Sequence, residues 1–420
     1  MITTAYTHEL QKLEEIAASQ KGKIDITTVL SYIADQENQL PNVLFELGKK
    51  GVEVTYSDIE PDASENYEER IEPYDPSQIN IRMDKITMDS IVKRLKNKEF
   101  ELDSAFQRKG GLWNPVQKSQ LIESLLLKIP LPAFYFDAND DDRWLIIDGL
   151  QRITTIKHFL VDKTMKLEGL EFFGELTNYR FDDLPRPLQR RIEETNINVY
   201  ILDPGTPPNA KFSIFKRINT GGLVLTSQEI RNALFQGEAT KFINKLAELK
   251  IFKLATGESI PSDRMLDREF CLRYVAINYL SINKDYKGVV DDFLNLAMAN
   301  LKKMPEQMRE SIKASFERVL ADCADIFGRH AFRKMSEDGK RRPINKGLFE
   351  AWTFCILRLS PDEVTYLKKN KEKVIAGFID LCSQIELNNA LRDSHSAALN
   401  MRIKLIDNLL KSIINERAQL

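Results

Sequence analysis

The hydrophobic pattern of this chain changes period near residue 237, and that change limits the folds open to it. Between residues 81 and 236, short runs rich in β-branched and aromatic residues (LPAFYFDA, RWLIID, INVYILD) alternate with stretches of helical spacing. IRMDKITMDSIVKRLKNKEF reads as a strand followed by a helix, and QRITTIKHFLVD and AKFSIFKRIN read as helices. TSQEIRNALFQG is a further helix, opened by a capping box of Thr226 with Glu229 and closed at Gly237. From about residue 238 onward two-residue alternation is absent. Long amphipathic segments such as KFINKLAELKIF, EQMRESIKASFERVLADCADIF and ALNMRIKLIDNLLKSIINERAQL predict an all-helical domain over residues 238–420. The expected fold class is α+β.

The N-terminal part differs from both. Residues 5–52 read as short helices, with Leu10, Leu13 and Ile16 at helical spacing, Asp25 as a cap and Gly51 as a stop. Residues 57–80, SDIEPDASENYEERIEPYDPSQIN, are rich in acids and proline without hydrophobic periodicity and predict a self-repelling linker. The implied organisation is a head over 1–56, a linker over 57–80, a mixed domain over 81–237 and a helical domain over 238–420. Charge follows the same division. The chain carries a net −2, yet residues 1–80 sum to −10 and the remainder to +8. An acidic head on a basic body should attract.

Composition removes several chemistries. Four histidines and no HExxH phrase leave hydrolytic zinc catalysis unexpected. The four cysteines (Cys271, Cys323, Cys355, Cys382) are far apart and fit reduced core thiols better than a zinc ribbon or a disulfide framework. No apolar run approaches the ~20 residues that span a bilayer. The N-terminus has neither a basic nor an apolar leader segment, so a cytoplasmic protein is expected.

The strongest local signal is WLIIDGLQRITTIKHF. A strand over Trp144 to Ile147 ends at Asp148-Gly149, and a helix opens at Leu150 or Gln151. Such a turn offers backbone N–H groups and a helix dipole to an anion. Arg152 adds a guanidinium suited to forking onto phosphate, so its loss should cost the unliganded fold little. Gln151 suits a polar ligand edge, and Asp148 suits a metal or an arginine. As an ordinary βα turn, the same phrase needs only Asp148 as a helix cap. Two further constellations flank it. Phe106-Gln107-Arg108 stands beside Gly110 and Gly111, and Asn219-Thr220-Gly221-Gly222 forms a polar turn between helices.

Together, FQRKGGLWNPVQKSQLIESLLLKIPLPAFYF, WLIIDGLQRITTIKHF and FKRINTGGLVLTSQEIRNALF resemble the N-terminal domain of GmrSD-type modification-dependent restriction systems. The resemblance implies a ParB/sulfiredoxin-like fold that binds, and often hydrolyses, a nucleoside triphosphate with Mg2+ as companion in antiphage defence. Carried over by position, Asp148, Gly149, Gln151 and Arg152 match the DGQQR signature, Arg108 the upstream arginine, and Asn219 the asparagine of the third phrase. Asp148, Gln151 and Arg152 are then the candidate catalytic residues. Leu150 replaces the first glutamine of the signature, which makes hydrolysis less secure than binding. The phrase LFELGKKGVEVTYSDIEPD loosely resembles the N-terminal autoinhibitory region of primary bacterial sigma factors.

No HNH-like phrase surrounds His330 or His395, so autonomous cleavage is not expected. The segment GRHAFRKMSEDGKRRPINKGLF gathers Arg333, Lys334, Lys340, Arg341, Arg342 and Lys346, which read as an exposed loop able to track DNA phosphates. A solvated surface loop is the plainer account of the same residues. Two functions fit. One is a nucleotide-gated component of an antiphage system that engages DNA, acting with a companion effector protein. The other is a non-hydrolysing regulator that binds DNA or RNA polymerase and uses its acidic head as a DNA mimic. Self-association stays open.

Overall fold

The computed structural model describes residues 7–19, 22–25, 43, 47, 50, 52–55, 79–102, 113–138, 142–218, 225–262 and 264–419. The chain divides into two compact units: residues 72–236 form one, and residues 1–71 with 237–420 form the other.

In the second unit's N-terminal part, α1 (Thr7–Ser19) buries Leu13 and Ala17 with Ile24, Val43 and Leu47. The expectation of helices alone needs correcting here. Strands β1 (Lys23–Asp25) and β2 (Glu53–Thr55) pair in parallel, with Ile24 opposite Val54. Of the helices expected after Asp25 and before Gly51 the described residues include only Val43 and Leu47, both helical, and Lys50; the linker over 57–78 falls outside them.

Residues 72–236 build a five-stranded mixed sheet. Its strands are β3 (Ile81–Thr87), β4 (Phe100–Glu101), β5 (Phe134–Asp137), β6 (Trp144–Asp148) and β7 (Asn196–Leu202), in the spatial order β3-β7-β5-β6-β4. β3 is antiparallel to β7 and β6 to β5, whereas β5 runs parallel to β7 and β4 to β6. The two-residue period sends Phe134, Phe136, Ile146, Ile197, Val199 and Ile201 to one face. Helices α2 (Met88–Lys96), α3 (Pro115–Leu126), α4 (Leu150–Ile156) and α5 (Arg186–Glu193) close that face with Ile91, Ile122, Ile153 and Ile192, among others. Each fully buried Phe or Ile there contributes roughly 1.5–3 kcal/mol. On the opposite face Tyr135, Ile147 and Leu202 meet α6 (Pro208–Ile218) and α7 (Ser227–Leu234) through Phe212, Phe215 and Ile230. Lys211 of α6 is buried there with its ammonium 2.6 Å from Asp137. The capping box of Thr226 with Glu229 opens α7 as expected, but the helix ends at Leu234 and Gly237 opens the next one, α8 (Glu238–Ala247).

The remainder, 238–419, is helical. KFINKLAELKIF divides into α8 and α9 (Lys250–Thr256), because Leu249 leaves the helical region at ψ 128° and lets Phe252 turn into the core. α10 (Leu266–Tyr279), α11 (Val290–Lys303), α12 (Glu306–Phe327) and α13 (Lys346–Leu357) follow. α14 (Pro361–Lys369) and α16 (Ile385–Arg392) bracket α15 (Lys371–Ser383), and α17 (Ser396–Asn415) ends the series. A buried charge chain crosses its core. Glu350 of α13 accepts from Arg273 of α10 at 2.7 Å and from Arg402 of α17, while Glu269 takes Arg273 at 2.8 Å and Lys346 at 3.2 Å. No helix among the described residues is long and apolar enough to cross a membrane.

Candidate functional site

β6 delivers Asp148 to the sheet end, and Gly149 turns the chain into α4. Gly149 adopts φ +99°, and a Cβ placed there would lie 2.5 Å from the Phe134 ring. Only glycine fits both the left-handed backbone and the close approach. No side chain caps α4, and its first bond runs from the Ile153 N–H to the Gly149 carbonyl at 2.8 Å. The N–H groups of Leu150, Gln151 and Arg152 therefore precede the helix's own ladder, which suits an acceptor from a ligand. The helix continues as a π-helical turn through Lys157–Val161.

Arg152 stands differently from the expectation. Its side chain is 10% exposed, lies with the guanidinium 4.4 Å from the centre of the Phe134 ring, and donates to the Pro132 and Ala133 carbonyls and to Asp148 Oδ2 at 2.6 Å. Burial lowers its pKa from the ordinary guanidinium value while Asp148 acts the other way. The group thus ties the Pro132–Ala133 chain to the turn, and its removal would leave two carbonyls and a carboxylate without their donor. The view that Arg152 is dispensable to the unliganded fold is corrected accordingly.

Gln151 is half-buried, and its Oε1 accepts from the Trp113 N–H at 3.3 Å, linking the turn to the chain before α3. Leu150 packs inward against the core beneath the sheet, so hydrophobic contact replaces the missing amide. Asp148 keeps 40% of its side chain exposed beside Arg152, which leaves it one face for a ligand-borne cation. Among the described residues no group of three or more His, Cys, Asp or Glu is placed to hold a metal ion. Arg108 and Asn219, with their glycines, fall outside the described residues.

Sequence reasoning missed three contributors. Phe134 floors the turn. Tyr135 pairs in register with Asp148 on one side and Tyr200 on the other, its ring stacked 4.9 Å from that of Tyr200. Burial, then Tyr200 and Asp148, push the Tyr135 phenol up. Glu123 of α3 is buried and accepts the N–H groups of Glu171, Phe172 and Phe173 at 3.1, 2.7 and 3.0 Å. Burial alone would raise its pKa, yet those three donors hold it below the usual carboxylate value. The segment IPLPAFYF held a usable signal, since its prolines leave carbonyls that no ladder consumes.

The basic segment of the helical region separates into two groups. Lys340, Arg341 and Arg342 are exposed, as expected of a loop, and Lys334 is half-buried. Arg341 donates to Ser259 Oγ at 2.7 Å and Arg342 to Asp338 at 2.8 Å. Arg333 is 1% exposed and donates to the Arg342 carbonyl at 2.6 Å, the Thr256 carbonyl at 3.2 Å and Ser259 Oγ at 2.6 Å. Lys346 has an 11% exposed side chain paired with Glu269. These two cations staple the fold and are not presented to a phosphate, which corrects their place in the expected DNA surface.

Three cysteines, Cys271, Cys323 and Cys355, are buried, and all four are free thiols. Burial holds Cys355 up at about 12, so core thiols of this kind are poor nucleophiles.

No match was found among curated proteins. Residues 88–236, from the start of α2 to the end of the sheet unit, match the family model of the GmrSD restriction endonuclease, N-terminal domain. This stretch of the chain carries a domain of that restriction-system family, as its three phrases indicate.

Proposed function

We propose that the chain is the nucleotide-responsive component of a restriction-type defence system, with a nucleoside triphosphate held at the Asp148–Arg152 turn. The observation that carries this reading is the Gly149 turn itself. A left-handed glycine is locked against Phe134, the helix behind it is uncapped, and Asp148 and Arg152 are pinned to each other beside it. A turn so constrained holds its N–H groups in place before a ligand arrives, which reduces the ordering cost of binding. The phosphates would accept from those N–H groups, Gln151 would contact a polar edge, and Asp148, 40% exposed, would hold an Mg2+ carried by the triphosphate. Arg152 positions Asp148 in this scheme. Leu150, packed inward, favours binding over rapid turnover. Lys340, Arg341 and Arg342 supply phosphate contacts for DNA, for which the acidic head competes.

Thermal unfolding with and without triphosphate tests the reading. Ligand at ~100 times its dissociation constant stabilises by about 2.7 kcal/mol. Gln151→Ala should reduce that shift with little change to the unliganded transition. A wild-type protein that shows no shift with any nucleoside triphosphate and Mg2+ ends the proposal. Leu150→Gln restores the amide of the family signature and should raise phosphate release if hydrolysis occurs at this turn.

A further inference from the structure

β3 is the outer strand of the five-stranded sheet, and among the described residues nothing pairs with its other edge. Two apolar side chains are exposed there, Ile81 at 41% and Met83 at 59%, beside the charged Arg82, Asp84 and Lys85. An uncovered edge offers its outward N–H and C=O groups to a further strand, and its charges decide which strand fits. Which backbone groups face outward follows from the register. The Asp203 N–H donates to the Asn80 carbonyl and the Met88 N–H to the Thr195 carbonyl, at 3.0 and 2.9 Å. In an antiparallel pair the bonded positions alternate, so the even-numbered residues of β3 turn their polar backbone toward β7. Ile81, Met83, Lys85 and Thr87 turn theirs outward.

We infer that β3 pairs antiparallel with β3 of a second copy of this chain, about a two-fold axis through Met83, joining two sheets into one. Charge selects this register. With Met83 opposite Met83, Arg82 of each copy faces Asp84 of the other, and Ile81 faces Lys85. A two-fold centred on Asp84 would set Asp84 against Asp84, one centred on Lys85 would oppose two lysines, and one centred on Arg82 two arginines. Like charges directly opposite destabilise a sheet, and opposite ones stabilise it. The Met83 register also places the outward-facing groups in the bonded positions, giving about six hydrogen bonds across the join. Within one copy Arg82 lies 3.0 Å from Asp84 and, on the β7 side, 3.0 Å from Asp203. The interface is isologous and closes, so it stops at two copies.

Complementary charge reversal tests this on the full chain. Asp84→Lys sets a lysine opposite Arg82 across the axis, and Arg82→Glu sets a glutamate opposite Asp84. In sedimentation from micromolar to hundreds of micromolar, the wild type should dimerise and each variant alone should be monomeric. Mixed, the two variants should form a heterodimer. Arg82 of one then meets Asp84 of the other, and the introduced lysine meets the introduced glutamate. A wild type that stays monomeric overturns the inference, as do variants that dimerise alone or fail to associate when mixed. Met83→Cys gives a second readout that needs no reversal of charge. The two Cα atoms would stand ~5.5 Å apart, within disulfide range. Mild oxidation should therefore cross-link this variant and not the wild type, and absence of the cross-link would count against the register.

Discussion

Arg152 in the sheet unit and Arg333 in the helical region make an instructive pair. The sequence offers both as free cations for a phosphate, since each sits in or beside a turn rich in polar residues. Both prove buried, and both donate to backbone carbonyls of chain that would otherwise be loop. What differs is the company. Arg152 lies against an aromatic ring and a carboxylate, next to a glycine turn that keeps its helix N-terminus open. Arg333 fastens a loop whose exposed cations lie seven to nine residues further on, at Lys340, Arg341 and Arg342. In the first region the buried arginine prepares a site at its own position. In the second it holds other residues out to where a polyanion could meet them.

The most severe test of the first half is Gly149→Ala. The left-handed backbone costs a non-glycine residue ~1–2 kcal/mol. The added Cβ meets Phe134 at 2.5 Å, and overpacking of that kind costs about 1–3 kcal/mol more. Equilibrium denaturation should show a loss of about 3 kcal/mol together with loss of nucleotide binding. Unchanged stability would show that the turn is not locked by Phe134.

Arg152→Ala and Arg333→Ala come next, at roughly 2–3 kcal/mol each, because buried acceptors lose their donor. The comparison sharpens in binding assays. Arg152→Ala should lose nucleotide affinity as Asp148 is released, whereas Arg333→Ala should weaken DNA binding only in proportion to unfolding. A DNA affinity that collapses while the Arg333→Ala fold melts normally would return Arg333 to the phosphate surface.

How far the sequence reveals this depends on whether a signal is local. The strands PAFYF, WLIID and INVYIL and the long helices were legible because their periods are carried within a few residues, and the α7 capping box because Thr226 and Glu229 are three apart. Gly149 was legible for the same reason. The pairing of β1 with β2 was not, since residues 23–25 and 53–55 meet only in space. The helix α14 was missed although Ser360, Pro361 and Glu363 spell its start. Arg152 and Arg333 were misplaced because burial is a property of what packs over a residue. The apolar neighbours of Arg333, Ala331 and Phe332, were the one local hint.

Glu123 extends the comparison to a buried anion. Its folded pKa is depressed, so its contribution is present above the ordinary carboxylate range and is lost as pH falls through the folded value. Glu123→Gln should cost about 1–2 kcal/mol near neutral pH, since an amide oxygen is a weaker acceptor for three N–H groups. The variant should also lose less stability than the wild type on acidification, which parallel pH-dependent melting curves would show. Equal acid slopes would mean that the 171–173 backbone does not hold the carboxylate ionised.

The smallest effect on stability is expected at the exposed cations, and there the comparison turns on binding alone. Lys340→Ala leaves the fold within about 0.5 kcal/mol of wild type, because an exposed loop side chain contributes little to stability. Arg342→Ala removes an exposed pair with Asp338, which solvent screening leaves with little effect on stability. Their shared role in the proposed function is electrostatic, so the readout is the salt dependence of DNA affinity. Removing one cation that neutralises a phosphate should lower the slope of log affinity against log salt by about one, uniformly across sequences. The double variant should therefore bind duplex DNA more weakly at low salt and converge with wild type as salt rises. If the slope is unchanged while the protein remains folded, the loop that Arg333 fastens serves some purpose other than tracking phosphates.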